Sequence, residues 1–171
     1  MGITDEVYPF WMADTQKEKI KQILVRVPPK GRILDVACGP GFLEKLVIGE
    51  VRKKLVAVDI NSEYIDNVKR DFPEVTALVG DANELKFPNG SFDVIYAIDI
   101  IHLLDSEKFF SGVKNVLNSR GKLVVTVFCN EHNLQEKDEW LKSIVKGFSI
   151  EEEFVVKSEN EWDFCLVLTL P

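Results

Sequence analysis

The chain has 171 residues, 46% hydrophobic and 29% charged, and a formal charge of −7 from 28 acidic and 21 basic residues. At this length one core must carry the whole function, and a composition so near the globular average excludes disordered, collagen-like and disulfide-framework proteins. Residues 131–171 hold 10 acids against 4 bases, and no segment has the surplus Lys and Arg that a nucleic-acid groove needs, which argues against nucleic acid as a partner.

Cys38, Cys129 and Cys165 form no CxxC pair, so neither a zinc site nor a disulfide framework follows, and a reducing compartment fits. The N-terminal MGITDEVYPFWMADTQ carries acids ahead of its aromatic patch, the reverse of a signal peptide, and no stretch approaches the ~20 apolar residues of a membrane span. The expectation is a cytoplasmic protein without a membrane partner.

Taken in chain order, the first helix is expected to begin at Thr15, where Thr15 and Glu18 have capping-box spacing and Ile20, Ile23, Leu24 and Val27 recur at helical period. Pro28 and Pro29 end it. Residues 32–37 (RILDVA) read as a buried strand, and from Gly41 a helix should turn Leu43, Leu46 and Val47 inward. Residues 55–58 form a second strand ending in Asp59, followed by a helix over 62–71. The cycle repeats with a strand at 75–79, a polar loop over 80–91, a strand at 92–97, a helix over 106–118, the turn Ser119-Arg120-Gly121 and a strand at 122–128. Asn133 and Glu136 are spaced to cap one more helix as far as Lys146. The last two strands, 148–157 and 162–170, are separated by too few residues for a crossover and must form an antiparallel hairpin. Residues 164–168 (FCLVL) read as buried on both faces, and 148–157, with Glu151-Glu152-Glu153, as a charged, solvated edge.

In such an alternating sheet the ligand crevice lies beyond the carboxyl ends of the strands. There the sequence places Asp35 through Phe42 (DVACGPGF), Asp59, Gly80-Asp81-Ala82 and Ile98-Asp99. Gly39 and Gly41 let the backbone approach a ligand and aim amides from the next helix. Asp59 is placed to accept both hydroxyl hydrogens of a ribose, or alternatively to cap the next helix through Asn61 and Ser62. Carboxylates after four successive strands would converge on one crevice. The dinucleotide fingerprint G-x-G-x-x-G fails because position 44 is Glu44, and a pyrophosphate would also meet Asp35. A nucleoside with an amino-acid end and no phosphate suits these carboxylates better, and S-adenosylmethionine is such a ligand.

The segments ILDVACGPGFL (33–43), LVAVDIN (55–61), GDANELKFPNGSFDVIYA (80–97) and IHLLDSEKFFSGVKNVLNSRGKLVVT (101–126) resemble class I S-adenosylmethionine-dependent methyltransferases, of the group that includes the ubiquinone-biosynthesis and small-molecule enzymes. The resemblance implies a Rossmann-like seven-stranded α/β sheet of order 3-2-1-4-5-7-6, last strand antiparallel, with helices on both faces. It implies one domain over 1–171, with an N-terminal helix and lid segment (1–30), a cofactor-binding half (31–130) and a C-terminal helix and hairpin (131–171). It implies that Asp35, Ala37, Gly39 and Gly41 line the methionine end of the cofactor, Asp59 and Ile60 the ribose and adenine, and Asp81 and Ala82 the adenine. Ala97 and Asp99 would lie under the sulfonium, and S-adenosylhomocysteine would be the product. Ala37 stands where many members have glycine, so backbone approach there should be slightly less close.

Methyl transfer from a sulfonium needs positioning more than a base. If the acceptor must lose a proton, His102 and Asp99 are the candidates, although His102 reads first as a structural residue at a helix start. His132, after the fifth strand, is a candidate substrate residue or an ordinary loop histidine. Tyr8, Phe10 and Trp11 read either as a lid over the cofactor or as core packing. Cys38 reads as a small packed hydrophobe, and Cys129 as a thiol within reach of the substrate. With little room for a helical cap the cleft should be open, which suits a large or protein-bound acceptor, a homo-oligomer, or a partner subunit that completes the cleft. A non-catalytic S-adenosylmethionine-binding subunit and a NAD-dependent oxidoreductase are the alternatives, the latter opposed by Glu44.

Overall fold

In the computed structural model, which describes residues 10–159 and 161–171, helices α1 (Phe10–Arg26), α2 (Phe42–Leu46), α3 (Ser62–Asp71), α4 (Ser106–Val116) and α5 (Leu134–Ile144) alternate with strands. The strands are β1 (Ile33–Val36), β2 (Leu55–Asp59), β3 (Thr76–Val79), β4 (Phe92–Ala97), β5 (Leu117–Cys129), β6 (Ser149–Lys157) and β7 (Trp162–Thr169). They form one seven-stranded sheet of order β3-β2-β1-β4-β5-β7-β6, with β7 antiparallel to β5 and β6. This is the order the family resemblance implies.

Strand side chains alternate between faces with period two, and the sheet divides the core accordingly. Ile33, Leu55, Ala57, Val94 and Tyr96 pack with Ile20 and Ile23 of α1, Leu43 of α2 and Ile65 and Val68 of α3. Leu34, Val36, Val56, Val58, Ile95 and Ala97 pack on the other face with Phe109, Phe110 and Val113 of α4 and Leu141 of α5. Each fully buried aliphatic or aromatic side chain contributes about 1.5–3 kcal/mol. Within the first layer the Tyr96 hydroxyl of β4 donates to the Val27 carbonyl, just past α1, at 2.7 Å and ties that end of the helix to the sheet.

Several boundaries differ from the sequence expectations. Helix α1 begins by Phe10, so Thr15 is a buried interior position and not a cap; Pro9, directly before it in sequence, is a stronger start signal than the Thr15–Glu18 spacing. Helix α2 lasts five residues, because Val47 turns extended and Gly49 is left-handed, and a 3₁₀ turn over Gly49–Lys54 completes the crossover. Asn133 precedes α5 without capping it; its side chain accepts instead from the Asn130 amide at 2.7 Å. Strand β5 starts at Leu117 and swallows the expected turn: Leu117 pairs with Phe92 and Lys122 with Val94, so residues 118–121 bulge out. Asn118 closes this bulge by donating to Asp93 at 3.3 Å.

Candidate functional site

The alternation that builds the core also builds the site. Asp35 follows Ile33 by two positions and Asp59 follows Ala57 by two, so both carboxylates project from the α1–α3 face at the carboxyl ends of neighbouring strands. They line a cavity of about 790 Å³ together with Gln16, the 37–40 turn, Asp81, Ala82 and Asp99. Four carboxylates thus border the cavity, and no Lys, Arg or His is among its described lining residues.

Each carboxylate is held differently. Asp59 accepts from the Gly39 amide at 2.9 Å and the Asn61 amide at 2.8 Å, which locks the β1–α2 turn to the end of β2 and leaves a second lone pair on each oxygen. The helix cap is Asn61, not Asp59: its side chain accepts from the Glu63 amide at 2.9 Å. Asp81 is exposed and accepts from the Asn83 amide at 2.8 Å through one oxygen, leaving the other toward solvent. Ile60 beside them is 74% exposed, a large apolar side chain open to a flat ligand.

The turn itself is left-handed at three points, Ala37 (φ +58), Gly39 (φ +55) and Gly41 (φ +86). For Ala37 the consequence is therefore conformational strain rather than a methyl in the way. At Gly39 a Cβ would meet nothing within 4 Å, whereas at Gly41 it would lie 3.0 Å from Phe72 and 3.3 Å from Val68. Gly39 thus faces the open cavity, while Gly41 permits the close packing of α2 on α3 and lines a separate depression beside Lys17 and Lys45.

Asp35 is buried and faces Glu44 of α2, which has no solvent exposure. Burial first, then the Glu44 charge, holds Asp35 well above the usual carboxylate range. Glu44 is pushed up to about 7 by burial, with the Asp59 charge adding to it. Beyond its own backbone amide and Asp35, neither Glu44 oxygen has a hydrogen-bond partner; two carboxylates cannot donate to one another, but a proton on one makes it a donor to the other.

Asp99 lines the cavity, but its carboxylate is committed. It accepts from Lys19 Nζ at 3.2 Å, Gln16 at 3.4 Å and the Thr126 hydroxyl at 3.3 Å, on a residue with φ +55. Lys19 is wholly buried and also reaches Asp163 at 2.7 Å and Glu161 at 3.3 Å. Burial alone would lower the Lys19 pKa, and the Asp99 and Asp163 charges more than reverse it. Asp163 is pushed up to about 8 by burial and then by Asp99, and its unpartnered Oδ2 is where a proton would sit. Sequence reading missed this cluster. Its signal was present: Thr15, Lys19, Ile23 and Val27 recur every four residues, so a lysine stands on the inward stripe of α1.

The remaining sequence candidates lie elsewhere. Ala97, two positions beyond Ile95, faces the α4–α5 layer and does not line the cavity. His102 is exposed on the 3₁₀ turn after β4, and the His132 side chain is 84% exposed beside Glu131; neither borders the cavity. Cys129 is fully buried and away from the lining, with its thiol pKa raised by burial, so it does not reach a substrate there. Cys38 does line the cavity, with its thiol pushed up by burial and the neighbouring carboxylates. Tyr8 lies outside the described residues, as do the side chains of Phe10 and Trp11. No helix among the described residues is long and apolar enough to cross a membrane.

A strand-end cavity edged with carboxylates on a 3-2-1-4-5-7-6 sheet defines a class I nucleoside-cofactor fold. The family model of the methyltransferase domain matches residues 33–121, more than half of the chain, and the chain belongs to this S-adenosylmethionine-dependent family. It is 30% identical over 95 residues to a probable S-adenosylmethionine-dependent methyltransferase of Mycobacterium tuberculosis, covering 55% of this chain and 34% of that protein. It spans between 32% and 47% of the length of such curated relatives. In structure it is similar to the PH0226 protein of Pyrococcus horikoshii OT3 (TM-score 0.76, 22% identity), covering 98% of this chain and 100% of that one. It is also similar to a putative methyltransferase of Haloferax volcanii in complex with the Trm112 methyltransferase activator (TM-score 0.77, 16% identity, 93% and 92% covered).

The cavity fits the family's cofactor. Its buried Asp35–Glu44 pair lacks a cationic partner among the described residues, which an ammonium group would supply and a phosphate would aggravate.

Proposed function

We propose that the chain is a methyltransferase that holds S-adenosylmethionine with its amino-acid end at Asp35 and the 37–40 turn, its ribose on Asp59, and its adenine between Ile60 and Asp81–Ala82. The observation that carries this reading is the cavity wall of four carboxylates without a basic side chain. A cofactor with an ammonium and a sulfonium is attracted there, and a pyrophosphate is repelled. The bound cofactor supplies an electrophilic methyl group, transferred as the acceptor–carbon bond forms and the sulfur keeps the electron pair of the bond that breaks.

The chain's own contribution is placement. Asp59 fixes both the ligand and the Gly39 amide, and near-attack positioning alone is worth up to about 7–11 kcal/mol. With Asp99 held by Lys19 and His102 outside the cavity, the acceptor is a nucleophile that needs no base from the described lining residues. The connections after β4 and β5 are short, residues 98–105 and 130–133, and add no helical cap. This supports a large or protein-borne acceptor, or a second subunit that completes the cleft, as does the likeness to a Haloferax protein complexed with an activator.

The test is formation of S-adenosylhomocysteine by the purified chain, alone and with protein fractions, alongside light scattering. Turnover only with macromolecular acceptors or an added subunit is expected. A strict monomer that methylates small metabolites efficiently would remove the second part of the reading, and reduction of NAD by hydride transfer, with no S-adenosylhomocysteine formed, would remove the first.

A further inference from the structure

Glu44 is a costly residue in its position. It is wholly buried on a five-residue helix, its two oxygens meet no donor beyond its own backbone amide and the Asp35 carboxyl, and among the described residues no Lys, Arg or His forms an ion pair with it or with Asp35. A solitary buried carboxylate is tolerated only when it is neutral or when something else brings the compensating charge. Of the pair, Asp35 borders the cavity and Glu44 stands behind it. The groups that face them are also anionic or neutral: Asp59 of β2, the Cys38 thiol in the turn and the Tyr96 hydroxyl of β4, while α3 presents Val68 and Phe72 near Glu44.

Resting on the cofactor reading above, we propose that Asp35 and Glu44 form a proton-sharing carboxyl pair, and that binding the cofactor's ammonium against Asp35 expels one proton from the pair to solvent. Glu44 is then a positioning residue. In the free protein the pair is doubly protonated and neutral below its transition; when the ammonium arrives, one proton leaves, and the remaining proton bridges Asp35 and Glu44 and holds the single negative charge toward the ligand. Charge balances, one cation entering as one proton departs. Glu44 stands where a dinucleotide site has its third glycine, so the same position that excludes a pyrophosphate prepares the site for an amine.

The consequence is a pH-dependent affinity. With the transition near 7, S-adenosylmethionine binding should strengthen roughly fivefold from pH 6 to pH 7, a window in which an α-ammonium stays charged. Calorimetry at pH 6 in two buffers of different ionisation enthalpy reads the proton directly, with close to one released per ligand expected. In Glu44→Gln the pH slope should move to lower pH and the release at pH 6 should shrink, because Asp35 keeps the effect of burial but loses the Glu44 charge that helps hold it protonated.

A second readout uses the free protein. A raised carboxyl pKa stabilises the fold below its unfolded value of 4.5 and loses that contribution as pH rises through about 7. The melting temperature of the wild type should therefore fall relative to Glu44→Gln across that interval. Binding without proton release in the wild type overturns the proposal and leaves the cofactor reading standing. Failure to bind the cofactor at any pH overturns both.

Discussion

Two glycines of one turn separate binding from folding at the level of single residues. Gly39→Ala would put a methyl group into the open cavity, and Gly41→Ala would press one against Phe72 at 3.0 Å. Both positions are left-handed, which costs an L-residue about 1–2 kcal/mol. We expect Gly41→Ala to lose the larger stability, from backbone strain plus the contact, with cofactor affinity nearly kept. Gly39→Ala should lose affinity beyond its stability cost; denaturant melts and ligand titrations of the two variants check this. Lys19 is the other decisive residue. Lys19→Met leaves Asp99, Asp163 and Glu161 without their cation and should destabilise by about 3 kcal/mol, the low end for a broken buried pair because Asp163 can take up a proton. An unchanged unfolding midpoint in urea would show that the cluster does not matter to the fold.

Among the elements, the β6 edge is where sequence and structure diverge most usefully. Glu151-Glu152-Glu153 reads as a solvated run, but each acid pairs with a cation from a different element. Glu151 meets Lys122 of β5, Glu152 meets Arg26 of α1 at 2.7 Å, and Glu153 meets Lys142 of α5 at 2.6 Å. Glu151 sits in a register shift between Ile150 and Glu152, which lets successive side chains reach different partners. Exposed pairs of this kind are worth up to about 1 kcal/mol each, so replacing all three by Gln should cost little in denaturant stability. It should instead promote edge-to-edge association, visible by light scattering as growth in particle size with concentration; a variant that stays monodisperse would show the charges are not protective.

What could be read in advance followed from range. Periodicity and turn residues are local, and they placed α3 at Ser62–Asp71 and β4 at Phe92–Ala97, as observed. The bulge at 118–121 depends on a contact across it, with Asp93, 25 positions from Asn118. The same distinction governs the site. Asp35, Asp59, Asp81 and Asp99 were legible as strand-end acids and all line the cavity. Ala97 was misplaced by one step of strand alternation, and the Lys19 cluster joins positions 144 apart, so no local pattern announces it beyond a lysine on an apolar stripe.

For the whole molecule, the parallel sheet, the two core layers and the carboxylate-lined cavity form one design: β1 and β2 deliver their acids to the same face, and α1 braces Asp99 from the side. The claim that this cavity is an S-adenosylmethionine site is tested most directly by equilibrium titration of the purified chain with S-adenosylmethionine, S-adenosylhomocysteine and NAD, repeated on Asp59→Ala. Asp59 holds the Gly39 and Asn61 amides as well as the expected ribose hydroxyls, so its loss removes about 2–4 kcal/mol of binding if two charge-assisted hydrogen bonds are made. The predicted result is saturable binding of the first two ligands, weakened at least about thirtyfold in the variant, and none of NAD. Saturable NAD binding, or S-adenosylmethionine binding indifferent to Asp59, would contradict it.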